Sequence, residues 1–205
     1  MTAIVPRMLL LAALMIGPLT AQAQTPAALP AVTASDRVLG RADAPVTVVE
    51  YASFVCSHCA HWHTTVMPAF KTQFIDTGQV RLVFRNLPTQ PVQVAARAAG
   101  IARCAAPERY FDVARSLMTG QAAVIAGAPV SAWFDSAVAV SGRTEAQIDA
   151  CLTDPATLTA IRADAAGASE AGVQGTPAFF VNGRAVSDTS LEGLSAVIRP
   201  LLPRH

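Results

Sequence analysis

Between Pro45 and Ser53 the chain reads Pro-Val-Thr-Val-Val-Glu-Tyr-Ala-Ser, an apolar run rich in β-branched residues and broken only at Glu50. Such a run predicts a strand covered on both faces, as in a parallel sheet flanked by helices. Beyond it, Trp62, Val66, Phe70 and Phe74 recur every four positions and lay an apolar stripe along one face of a helix. Pro68 falls inside that helix and is expected to kink it. Gly78 closes the segment, after which Val80-Arg81-Leu82-Val83-Phe84-Arg85 continues as a second strand, stopped by Pro88. Strand, helix and strand in that order make a βαβ unit.

From Val92 to about Gly167 the pattern changes to Ala-rich helical stretches with no convincing strand. Thr144 with Gln147 reads as a capping box, and Asp154-Pro155 as an N-cap followed by proline at the first helical position. Gly120, Gly127 and Gly142 are read as breaks between helices. Strand chemistry returns at Ala178-Phe179-Phe180-Val181, turns at Asn182-Gly183 and resumes at Arg184-Ala185-Val186 as a hairpin. Leu191, Leu194, Ile198 and Leu201 then mark a closing amphipathic helix. Residues 24–35, rich in Ala, Pro and Thr and without periodicity, suit a flexible lead-in.

Composition adds bounds. With 52% hydrophobic residues among 205, the chain can bury a large core, and one domain carrying an insertion fits better than two. The 15 basic and 14 acidic residues leave no electrostatic footprint for nucleic acid or anionic membranes. Arg7, the apolar stretch from Met8 to Leu19 and the small-x-small triplet Ala21-Gln22-Ala23 read as a secretory signal peptide over residues 1–23. The apolar stretch is shorter than the roughly 20 residues that span a bilayer, which argues against a retained anchor. Export implies an oxidising compartment, and all four cysteines follow the expected cleavage point.

Cys56-Ser57-His58-Cys59 sits where the first strand hands over to the helix. There the first sulfur meets the unpaired N–H groups and positive dipole end of a helix N-terminus, which favour a thiolate, and the second lies one turn along. His58, between the two, is expected to push Cys56 further toward the anion. A low thiolate pKa also favours the reduced form, by roughly 30 mV per unit, and so makes an oxidant. An inert structural bridge is the duller alternative, but so short a loop constrains the unfolded chain little. Zinc binding by Cys56, Cys59 and either His61 or His63 is a second alternative. Four ligands within eight residues cannot easily surround a tetrahedral ion, so His61 and His63 are read as surface or groove residues. Glu50, if buried, would have a raised pKa and could take the proton of Cys59 when that thiol attacks a mixed disulfide; an ion-paired or a strand-end glutamate is the alternative. Cys104 and Cys151, the pair left over, are expected to form a disulfide, with two buried free thiols as the alternative.

The run Glu50-Tyr51-Ala52-Ser53-Phe54-Val55-Cys56-Ser57-His58-Cys59, with Gly175-Thr176-Pro177-Ala178-Phe179-Phe180-Val181-Asn182-Gly183 over a hundred residues later, resembles the DsbA-type branch of the thioredoxin superfamily. The resemblance implies an α/β, thioredoxin-like fold with a helical subdomain inserted between its βαβ and ββα halves. The boundaries expected are 36–90 for the first half, 91–167 for the insertion and 168–205 for the second half. It implies that Cys56 is the attacking cysteine and Cys59 the resolving one. Thr176-Pro177 would be a cis-proline loop facing them, where an extended substrate can pair with the backbone.

The activity implied is dithiol-disulfide exchange that introduces bonds into exported, periplasmic proteins. Reoxidation would come from a quinone-linked membrane thiol oxidase, with no bound cofactor and no metal. Ser57 stands where the best-known members have proline, which leaves the redox potential open, and the pair Cys104 and Cys151 is absent from the simplest members, which leaves the catalytic assignment intact. An isomerase or reductase of the same fold, and a metal-binding or chaperone-like module, remain as alternative readings.

Overall fold

The computed structural model describes residues 29–203. The expected signal peptide and the start of the lead-in lie outside these residues. Five strands form one sheet, β1 (Arg37–Leu39), β2 (Val46–Ala52), β3 (Val80–Asn86), β4 (Ala178–Val181) and β5 (Arg184–Val186), in the order β1-β3-β2-β4-β5. β2 and β3 run parallel, with Val48 opposite Leu82 and Glu50 opposite Phe84, and the other pairings are antiparallel. The crossover between β2 and β3 is α1 (Ser57–Thr65), then α2 (Met67–Phe70), which widens into a π-helical turn over Lys71–Ile75. The helix breaks at Val66, and Pro68 stands in the first turn of α2, where its missing N–H costs nothing.

Five helices follow without an intervening strand: α3 (Val92–Cys104), α4 (Tyr110–Ile125), α5 (Val130–Ala139), α6 (Glu145–Leu152) and α7 (Pro155–Glu170). The Thr144–Gln147 capping box opens α6, and the Asp154 side chain caps α7 ahead of Pro155. Asn182 and Gly183, both at positive φ, make the tight turn between β4 and β5. The chain closes with α8 (Leu191–Ile198). No helix among the described residues is long and apolar enough to cross a membrane.

The sheet is buried on both faces. Val46 and Val48 pack with Trp62, Phe70, Phe74, Phe179, Leu194 and Ile198, the α1, α2 and α8 side. Val49, Tyr51, Val83 and Phe180 point the other way, toward Ala168 and Ala171 at the end of α7. A further cluster joins the active end of the sheet to the insertion through Phe54, Phe84, Tyr110, Leu117, Met118 and Trp133. α1 is therefore wedged between sheet and insertion.

Two expectations need correction, and a third feature lies outside them. Gly120 does not end a helix: it lies within α4, where a Cβ would stand 2.7 Å from Trp133 Cδ1, so its smallness serves packing against α5. Residues 29–35 of the supposed flexible lead-in are docked, with Leu29 and Val32 against the sheet. The carbonyls of Pro30 and Ala31 accept hydrogen bonds from the buried guanidinium of Arg85 at 3.0 and 2.9 Å. Arg85 also donates to both oxygens of Asp36, and burial, which pushes that carboxyl up, is outweighed by the Arg85 and Thr33 contacts that hold it below its ordinary value. Third, Arg37–Leu39, which carries too few residues for a periodic signal, adds an edge strand beside β3.

Cys104 and Cys151 are bonded, joining the end of α3 to α6 across 47 residues. Closing a loop of that length removes about 4 kcal/mol of chain entropy from the unfolded state, before any offset. Replacing both by serine should lower unfolding stability in urea by roughly 2–4 kcal/mol, measured with the Cys56–Cys59 pair held in one redox state. A loss under about 1 kcal/mol would show that the bridge stabilises little.

Candidate active site

β2 ends at Ala52, and the turn Ser53-Phe54-Val55 delivers Cys56 to the N-cap of α1, with φ −83° and ψ 119°. An N-cap side chain faces the free N–H groups of the helix's second and third residues, here His58 and Cys59. Sulfur stands where the usual oxygen would, without a side-chain cap hydrogen bond. The Cys56 thiol is held down at about 4, first by the hydrogen bond from the Cys59 thiol. Partial burial opposes this, while Thr176 and the backbone N–H groups of Cys59 and His58 reinforce it. The sulfur is half-buried and 3.3 Å from the Thr176 carbonyl oxygen, which can accept a hydrogen bond from the thiol form alone.

Cys59 is fully buried, and both it and the half-buried Cys56 are free thiols. Its thiol is pushed far up, by donating to the Cys56 sulfur, by burial and by the negative charge of Glu50. The two sulfurs thus differ sharply: one rests as an anion and the other holds its proton. Thr176-Pro177 is a cis peptide preceding β4, half-buried beside Cys56. Residues 120 positions apart are brought together here because β4 pairs with β2, Tyr51 opposite Ala178.

Glu50 has no exposed side-chain surface, and its cross-strand neighbours are Phe84 and Phe179. Both its oxygens lie 3.0 Å from His63 Nε2. Of the two places expected for His63, open surface or groove, it takes the groove, its side chain being only 7% exposed. A glutamate inside an apolar strand needs a partner, and a polar residue adjoining the Trp62 stripe is where a search could have found one. His61 is exposed, as expected. His58 is exposed too: it reaches the Cys56 sulfur through its backbone N–H, and its imidazole has no hydrogen bond among the described residues.

Gln121 of α4 escaped sequence reasoning altogether. Its buried amide donates to the carbonyls of Phe54 at 2.6 Å and Cys56 at 3.2 Å, tying the insertion to the turn that carries the reactive sulfur. Ser53 secures the other side of that turn, its Oγ accepting from the Thr89 N–H and hydroxyl at 3.2 and 3.0 Å. A glutamine within a helix offers no local sign of such a role.

A family model described as thioredoxin matches residues 33–199. A Rickettsia bellii protein named as a protein-disulfide oxidoreductase is 30% identical over 169 residues, which cover 80% of this chain and 63% of the relative. This chain thus spans under two thirds of that relative's length. The crystal structure of Wolbachia pipientis alpha-DsbA1 superposes with a TM-score of 0.73 at 25% identity, covering 83% of this chain and 92% of that one. Oxidised BdbD from Bacillus subtilis shares the fold, with a TM-score of 0.73 at 22% identity over 82% and 92% of the two chains. With the cysteine pair at the head of α1, the cis-proline beside it and a family match over most of its length, this chain belongs to the thioredoxin family.

Proposed function

We propose that the protein is an exported thiol-disulfide oxidoreductase that oxidises cysteines of unfolded proteins in the periplasm. The observation that carries this is the placement of the two sulfurs, Cys56 half-buried at the head of α1 beside the cis Thr176-Pro177 peptide and Cys59 buried one turn on, which holds the first thiol down and pushes the second up. In the oxidised protein a client thiolate attacks Cys56 Sγ. A bond from client sulfur to Cys56 forms, the Cys56–Cys59 bond breaks, and its electron pair leaves on Cys59, which takes up a proton. A second client thiolate then attacks the client sulfur of this mixed disulfide, and Cys56 departs as the stabilised thiolate. Two client thiols are oxidised and two protein sulfurs reduced. A low pKa speeds departure and favours the reduced protein, so both rate and equilibrium run toward client oxidation.

Glu50 stands within electrostatic reach of Cys59 and acts as its proton store, giving the proton in client oxidation and taking it when Cys59 attacks Cys56 during reoxidation. Thr176-Pro177 offers backbone to an extended client without demanding particular side chains. Reoxidation falls to a membrane quinone-linked thiol oxidase. The apolar stretch and cleavage triplet at the N-terminus, together with an oxidised Cys104–Cys151 bridge, support an exported location.

Ultraviolet titration of the Cys56 thiolate should place its midpoint near 4, and equilibration with glutathione buffers should give a potential well above thioredoxin's, about −270 mV. A potential near thioredoxin's would favour a reductase. Since His58 acts on Cys56 through its main chain, His58→Ala should move that midpoint by less than about one unit. Cys56→Ser should abolish oxidation of a reduced client, and full activity in that variant would end the proposal.

Stability supplies a separate check. The folded pKa of Cys56 lies below its unfolded value of about 8.5, so the thiolate stabilises the reduced fold fully above that unfolded value and loses its contribution as pH falls through about 4. Urea unfolding should find the reduced protein more stable than the oxidised one at pH 7, by a margin that shrinks toward pH 4. An oxidised form more stable at neutral pH would contradict the assignment.

A further inference from the structure

We infer that His63 is the proton outlet of the buried site, carrying protons between Glu50 and a groove about two turns along α1 from the client-facing sulfur. The inference rests on the exchange chemistry proposed above and extends it. Cys59 and Glu50 are both fully buried, so a proton leaving Cys59 has no direct route to water. Glu50 meets hydrophobic aromatic rings from both neighbouring strands, Phe84 and Phe179, and its hydrogen bonds run to His63 Nε2. A hydrogen bond between carboxyl and imidazole persists whichever of the two holds the proton, which is the condition for passing it.

The other side of the ring opens outward. His63 lines a groove of about 470 Å³ with Leu39, Met67, Phe111 and Ala114. Nδ1 has no hydrogen bond among the described residues, and the side chain keeps 7% of its surface exposed. The charged groups around the groove are committed to one another: Lys71 to Asp76 and Arg115 to Asp112. β3 faces the ring with Phe84 and α1 with Trp62, neither titratable. Glu50 is thus the group through which His63 couples to the sulfurs.

When Cys59 attacks a mixed disulfide at Cys56, the new bond joins Cys59 to Cys56 and the departing thiolate carries away the electron pair. The Cys59 proton goes to Glu50, then to Nε2, while Nδ1 releases one to water in the groove. In client oxidation the transfers reverse and a proton arrives at Cys59. His63 touches neither client nor sulfur and is a positioning and relay residue.

The test mixes fully reduced protein rapidly with oxidised glutathione. Loss of thiolate absorbance reports attack by Cys56, and release of the second glutathione reports attack by Cys59. His63→Gln keeps a group able to hydrogen-bond Glu50 but cannot titrate. It should slow the second phase by roughly tenfold or more and remove its fall at low pH, while the first phase and the Cys56 titration stay as in the wild type. An unchanged second phase in His63→Gln overturns the relay and leaves the exchange chemistry standing. A wild type with no first phase removes the exchange reading itself. If the variant does not fold, the wild type decides: its second phase must weaken as NMR shows His63 gaining a proton, and a rate indifferent to that titration overturns the inference.

Discussion

A sulfur held as an anion by the first turn of a helix is the interaction on which this molecule turns. Cys56 occupies the N-cap of α1, and its charge is stabilised by a neighbouring thiol and by N–H groups of residues that follow it. That stabilisation survives only if the turn before α1 keeps its shape. β2, buried on both faces, fixes where the turn begins, and Ser53 ties it to Thr89. Gln121 grips it from the insertion through two carbonyls. Much of the fold can be understood as support for a four-residue segment.

The same arrangement separates two chemically identical side chains. Cys59 sits one turn into α1, beneath Cys56, where burial and the charge of Glu50 raise it while its donated hydrogen bond lowers its neighbour. Each sulfur's environment is set partly by the other, so the pair behaves as a coupled unit. A carboxylate in this position would be costly in an apolar core without a partner, and His63 answers that need. The helical insertion, which contributes no sulfur to the pair, acts by closing α1 against the sheet.

Local patterning was enough for the scaffold. The unbroken apolar run of β2, the four-residue stripe of α1 and α2, the capping signals of α6 and α7 and the Asn182-Gly183 turn all lie within windows of a few residues, where periodicity and turn chemistry act directly. Gly120 misled because a helix can hold a glycine when a neighbouring Trp133 needs the room, and nothing within α4 announces that neighbour. The docking of residues 29–35 was illegible for a similar reason: their partner, Arg85, stands about fifty residues away.

The sequence by itself determined which atoms could react, since a pair of thiols three positions apart at a strand-to-helix junction admits few uses. It also determined the order of helices and strands, because hydrophobic spacing dictates which face each element must bury. Only the tertiary structure decided which polar side chains serve those sulfurs. His63 and Gln121 approach from 13 and 67 positions away, measured to Glu50 and Phe54 respectively. Hydrogen bonds depend on distances of a few tenths of an ångström that arise only once the sheet, α1 and the insertion have closed upon one another.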